Sequence, residues 1–159
     1  MVVIRRADIE DLDALAAIGS RAWASSIFSF EPEQPGVLDR VSKAYRGFVE
    51  DFYPNILVAM IDGNIVGWGA RDTGEDYISD LWVDPEWQGR GAGSALLTAL
   101  KQEIADAGYS KARIDTHARN AGAVRLYQRN GFVTVLHERA WSESLGREID
   151  KVKLEAPLI

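Results

Sequence analysis

The run Gln88-Gly89-Arg90-Gly91-Ala92-Gly93 has the composition of an anion-binding turn. Glycines lack Cβ, so the backbone can close on a ligand there. A helix starting just after them would aim its free N–H groups and positive dipole end at the same point. Glycines at three alternating positions, 89, 91 and 93, exceed what a tight strand-to-helix connection needs, and a diphosphate is the natural occupant. A P-loop fits worse, because Lys and then Ser or Thr should follow the last glycine, whereas Gly93 is followed by Ser94-Ala95. A dinucleotide fingerprint with Ser94 in its third glycine slot should begin right at a strand end, and here Asp84 to Gln88 intervene.

Proton-transfer groups lie on either side of this run. Asn120 is placed to cap a helix, and Tyr127, two helical turns on, shares its face. Alone, Tyr127 reads as a core residue with its hydroxyl at the rim. Asp115 and His117 share a strand face by period two, so they either act together or merely pair, and an ordinary imidazole pKa suits a base. Asp80 points away from Leu81 and Val83. Without cysteine there is no thiol nucleophile, thiolate metal site or disulfide, and no Gly-x-Ser-x-Gly elbow occurs. His137 lacks a partner at metal-ligand spacing and no His-Glu-x-x-His is present, so no metal is expected.

The elements that must position these groups read as one α/β domain over residues 1–159, a mixed central sheet with helices on both faces. Val2 to Arg6 reads as a strand. Asp8 caps a helix carrying Leu12, Leu15, Ile18 and Trp23 on one face. Ser25 to Gly36 is expected to be an aromatic loop, and a second helix from Val37 carries Val41, Tyr45, Phe48 and Phe52 until Pro54 stops it. Asn55 to Ile61 and Ile65 to Ala70 flank a hairpin signal at Asp62-Gly63-Asn64. A polar turn, Asp72 to Asp76, leads to the strand Tyr77 to Val83. Beyond the glycine run, Ser94 to Ala107 reads as a helix with Leu96, Leu97, Leu100 and Ile104 buried and Gly108 as its stop. Lys111 to Thr116 is a strand, Ala121 to Arg129 a helix closed by Asn130-Gly131, and Phe132 to Arg139 and Ile149 to Leu154 are the last two strands.

Apolar residues at 47% and charged residues at 26% fit a water-soluble globular domain. The longest apolar run, Ile56 to Ile61, is far short of a membrane span, and the N-terminus has no signal-peptide core, so the expected location is the cytoplasm. A net charge of −6 argues against nucleic acid or an anionic membrane as partner and favours a cationic one such as an amine.

Together, Asp80-Leu81-Trp82-Val83, then Gln88-x-x-Gly91-x-Gly93, then Asn120, Tyr127 and Gly131-Phe132 resemble the GNAT superfamily of N-acetyltransferases. The resemblance is specific from about Asp80 to Phe132 and vague over the N-terminal helices. It implies acetyl-CoA as acetyl donor. Leu81, Trp82 and Val83 would pair with its pantetheine arm as a ligand pairs with a strand edge. Gln88, Gly89, Arg90, Gly91, Ala92, Gly93 and Ser94 would hold the diphosphate, and Asn120 would contact the arm. The Tyr127 hydroxyl would protonate the departing thiolate, and an N–H near Val83 would stabilise the oxyanion of a tetrahedral intermediate.

An alkyl ammonium must lose a proton before it attacks, so a base or water chain is needed. Asp115 lies where some family members place a carboxylate and ranks first, with His117 and Asp80 as competitors. Phe28, Tyr45, Asp80 and His117 are the expected acceptor contacts: the resemblance implies that the N-terminal helices and their loop wall that site, and Asp80 and His117 are the competing bases. The acceptor is an amine of a small molecule or a protein, and a homodimer is compatible with the reading. The rival readings are a non-catalytic acyl-CoA-binding or sensing module, which the presence of Tyr127 disfavours, and nucleotide-dependent redox chemistry.

Overall fold

The computed structural model describes residues 1–71 and 75–158. The expected polar turn, Asp72 to Asp76, therefore lies in part outside the described residues. Runs rich in β-branched and aromatic residues form an antiparallel sheet, β1 (Val2–Arg6), β2 (Leu57–Ile61), β3 (Asn64–Arg71) and β4 (Ile78–Val83), in that spatial order. The β2–β3 hairpin turns on Asp62 and Gly63, with φ of 51° and 79°, the doubly positive pair that matches strand twist. A second antiparallel sheet contains β5 (Lys111–His117), β6 (Val133–Ser142) and β7 (Arg147–Pro157), ordered β5-β7-β6.

Among the described residues, four α-helices cover these sheets: α1 (Leu12–Ile27), α2 (Val37–Phe52), α3 (Ala92–Asp106) and α4 (Ala121–Arg129). The pleat of β2 divides the core between them. Val58 faces α1 and α2 with Leu15, Ile18, Val49 and Trp68, whereas Leu57, Ala59 and Ile61 face α3 with Leu96, Leu97 and Leu100. Fully buried Trp68 satisfies its indole N–H on the Leu15 carbonyl at 2.8 Å.

The expected single sheet is divided between β4 and β5. Among the described residues their one strand link is a parallel bridge, Tyr77 to Arg113. Arg113 reinforces it through its N–H to the Asp76 carbonyl at 2.8 Å and its Nε to the Asp76 carboxylate at 2.7 Å. Beyond the bridge these two parallel strands share no ladder, and a gap opens between their C-terminal halves.

Several boundaries differ from the sequence pattern. Asp8 caps a 3-10 turn, Ile9–Asp11, rather than α1 itself, and Asp11 accepts from the Asp8 N–H at 2.8 Å. Helix α1 continues through the serines to Ile27, because nothing before Pro32 breaks it. Strands β6 and β7 outrun their apolar stretches, since opposed charges such as Glu138–Lys153 and Arg139–Asp150 sustain the pairing.

Candidate active site

The gap between β4 and β5 is a cleft of about 800 Å³. Its floor is the free edge of β4 from Ser79 to Val83, with Asp115 and Thr116 of β5 opposite. Between β4 and the glycine run stands a 3-10 turn, Pro85–Trp87, headed by Asp84, whose carboxylate accepts from the Glu86 N–H at 3.2 Å and from Arg21 at 2.6 Å. This turn accounts for the residues that spoil a dinucleotide fingerprint. Gln88 then folds back and donates to the Val83 carbonyl at 3.3 Å.

Gly89 and Gly91 have φ of 79° and 90°, a left-handed conformation that a Cβ disfavours. Gly91 is the N-cap of α3, whose first intrahelical bond is Ala95 N–H to the Gly91 carbonyl at 3.0 Å. The N–H groups of Ala92, Gly93 and Ser94 are thus free of intrahelical partners at the cleft wall. Gly93 has a second reason beyond the one its spacing implied. A Cβ there would stand 2.9 Å from Cδ2 of Leu126, so its bareness also admits α4, while the residue itself lines the cleft. Arg90 lies outside the lining, its guanidinium 4.7 Å from the Trp87 ring centre.

Helix α4 delivers the hydroxyl. Asn120 caps it by accepting from the Ala123 N–H at 3.3 Å, and Asn130 at its other end donates to Ser94 Oγ at 3.1 Å, which fixes α4 against the start of α3. Tyr127 is 7% exposed and packs on Phe132 with ring centres 6.1 Å apart. Burial, and then the charge of Asp115, push its pKa well up, so the hydroxyl stays protonated at neutral pH. Asp115 accepts from the Tyr77 hydroxyl at 2.8 Å. Across the cleft Asp80 accepts from Trp82 Nε1 at 3.1 Å and from Ser79 Oγ at 2.9 Å.

Leu81, Trp82, Val83, Gln88, Gly89, Gly91 to Ser94, Asn120 and Tyr127 therefore meet at one cleft, together with both aspartates. Phe28, Tyr45 and His117 do not line it. Phe28 packs edge-on against Trp23 at 5.3 Å, and the Tyr45 ring is wedged between Trp68 and Trp82. Burial first, then Asp80, raise the Tyr45 pKa. His117 uses both ring nitrogens elsewhere, on the Glu31 carboxylate and the Arg119 N–H. The lining adds Ser25, Ser26, Ser29 and Phe30 at the end of α1, and Arg125 and Arg129 on α4. Four-residue spacing puts the two arginines on one face of α4, but only the fold brings that face beside the glycine turn, and the serines carry no motif.

A family model, Acetyltransferase (GNAT) family, matches residues 20–132. Mycothiol acetyltransferase of Clavibacter sepedonicus is 33% identical over 137 residues, which take in 82% of this chain and 44% of that protein. The chain spans about half the length of the curated mycothiol acetyltransferases it matches. Two solved structures share the fold. PaiA N-acetyltransferase of Thermoplasma acidophilum, in complex with coenzyme A, has a TM-score of 0.76 at 18% identity, covering 99% of each chain. The ribosomal-protein-S18-alanine N-acetyltransferase of Escherichia coli has a TM-score of 0.72 at 24% identity, covering 99% of this chain and 94% of its own.

Proposed function

Because the chain belongs to the GNAT acetyltransferase family, we propose that it moves an acetyl group from acetyl-CoA to an amine of a small molecule or a protein. The observation that carries this reading is the meeting, in one cleft, of a free strand edge, a glycine-capped helix N-terminus and a buried, protonated tyrosine. The residues present fit acetyl-CoA. The N–H groups of Ala92 to Ser94 and the cations Arg125 and Arg129 suit its phosphates, and the unpaired edge at Leu81 to Val83 suits its amide-bearing arm.

The neutral amine attacks the thioester directly: the N–C bond forms to give a tetrahedral intermediate, and the C–S bond breaks when that intermediate collapses. A backbone N–H near Val83 stabilises the oxyanion of the tetrahedral intermediate and Tyr127 gives its proton to the departing sulfur; of the two protons the nitrogen sheds, one passes to Asp115 or through water before attack and the other restores the Tyr127 hydroxyl. Asp80 is the second reading for the base, favoured by its position beside Trp82 and Tyr45 on the α1–α2 side. The relatives' names put mycothiol and a ribosomal-protein alanine on the acceptor panel. The setting is the cytoplasm, with the chain alone or as a homodimer.

Calorimetry with acetyl-CoA, followed by mass detection of the acetylated acceptor across the panel, tests the reading. Binding without acetyl release in single-turnover assays would favour a sensing module. Gly91→Val places a β-branched residue at φ 90° and should weaken acetyl-CoA binding about tenfold or more in a folded protein. Unchanged affinity would remove the glycine turn from the site.

Asp115→Asn keeps size and hydrogen bonding but not basicity. Its kcat/KM should fall at neutral pH and recover as pH nears the amine's own pKa. If the loss appears in Asp80→Asn instead, the base is Asp80.

A further inference from the structure

The segment between α1 and α2 carries no recognisable motif, yet it is fastened tightly. Glu31, its side chain 9% exposed, accepts from His117 Nε2 at 3.0 Å and from Arg147. The Arg119 backbone N–H donates to His117 Nδ1 at 3.1 Å, so the ring proton sits on Nε2 and faces Glu31. Phe30 lies on the His117 ring with centres 4.6 Å apart. Arg119 Nη1 donates to the Phe30 carbonyl at 3.0 Å, and its guanidinium stands 5.6 Å from the Phe30 ring. Further out, Arg40 donates to the Ser144 carbonyl at 2.7 Å, joining α2 to the β6–β7 turn.

Burying a carboxylate is costly unless it is paired. Burial does push Glu31 up, but hydrogen bonds from Arg147 and His117 outweigh it and hold the carboxyl below its usual range. A surface loop has no need of such a buried cluster for its own sake. Its neighbours Ser29 and Phe30 line the cleft from the α1 side, whereas the glycine turn and α3 belong to the opposite face of the sheet. Acetyl-CoA held at the α3 end would leave the Phe30 side of the cleft for an acceptor.

We propose that Glu31 is a positioning residue for acceptor selection: accepting from His117 and Arg147 together, it holds Phe30 as the wall of the acceptor end. The inference rests on the acetyltransferase reading. It gives His117 a role in shaping the site without contact with the reacting atoms.

The test compares the full chain with Glu31→Gln and Glu31→Ala. Amide hydrogen exchange over residues 27–36 should quicken about tenfold in Glu31→Ala and less in Glu31→Gln, which keeps a carbonyl for the His117 N–H. Acetyl-CoA affinity should stay within about twofold of wild type. With ethanolamine and phenethylamine as probe acceptors, the ratio of their kcat/KM values should shift about fivefold toward the bulkier amine, through acceptor KM. Unchanged exchange in a folded variant overturns the clasp, and faster exchange with an unchanged ratio overturns its role in selection. Turnover of neither amine by the wild type counts against the acetyltransferase reading, and the exchange comparison then decides the clasp by itself.

Discussion

Tyr127→Phe is expected to lower kcat by about 10²-fold or more while leaving acetyl-CoA affinity nearly unchanged. The ring, packed on Phe132, is retained, so stability at neutral pH should change by about 1 kcal/mol or less. The hydroxyl's raised pKa adds a second, independent signature. Below the ordinary tyrosine pKa of about 10 both folded and unfolded chains hold this proton, and its full contribution to stability is present. As pH rises past about 10 the unfolded chain ionises first, and stability is lost toward the higher folded value. The variant should therefore lose less stability than wild type in alkaline urea titrations. Equal kcat in the two proteins would reduce Tyr127 to a packing residue.

Gly67→Ala should destabilise the fold by about 3 kcal/mol, the upper range for an overpacked site. Gly67 pairs with Val83 across the β3–β4 ladder, and a Cβ on it would lie 2.7 Å from the Trp82 carbonyl oxygen. The obstacle is main chain, so no rotamer change relieves it. The strand that yields is β4, whose free edge is the floor of the cleft, and acetyl-CoA affinity should fall with stability. Gly47→Ala on α2 is the control, since nothing lies within 4 Å of its added Cβ, and a helical alanine should be neutral or stabilising by about 0.5–1 kcal/mol. Urea midpoints for both variants decide the matter. Wild-type stability in Gly67→Ala would show that β3 and β4 are not held at this spacing.

Local chemistry made much of this legible in the sequence. The glycine run, the Asn120 cap and the helical period carrying Tyr127 are short-range signals, and each appears where its residues imply. What stayed hidden depends on contacts between distant residues. That Gly93 also makes room for α4 could not be read from its spacing, because only the fold brings Leu126 against it. His117 looked like a base because its partners, Glu31 and Arg119, include one that is 86 positions away. Phe28 and Tyr45 are aromatic in the right region, but whether an aromatic faces a cleft or fills a core is settled by neighbours such as Trp23 and Trp68.

The bridge between Tyr77 and Arg113, the one strand link between the two sheets among the described residues, has a mechanical meaning. From there to Val83 a strand extends about 20 Å, at roughly 3.3 Å per residue. A rotation of about 5° at the bridge would carry the far end through about 2 Å without stretching a single ladder bond in either sheet. Opposing that rotation are the packing of α3, which touches strands on both sides of the split, and the Glu31 clasp that ties the α1–α2 segment to β5 and β7. The width of the cleft is thus a hinge angle under side-chain restraint, and the two sheets act as stiff arms that transmit a small change at their joint to the place where the reacting groups meet.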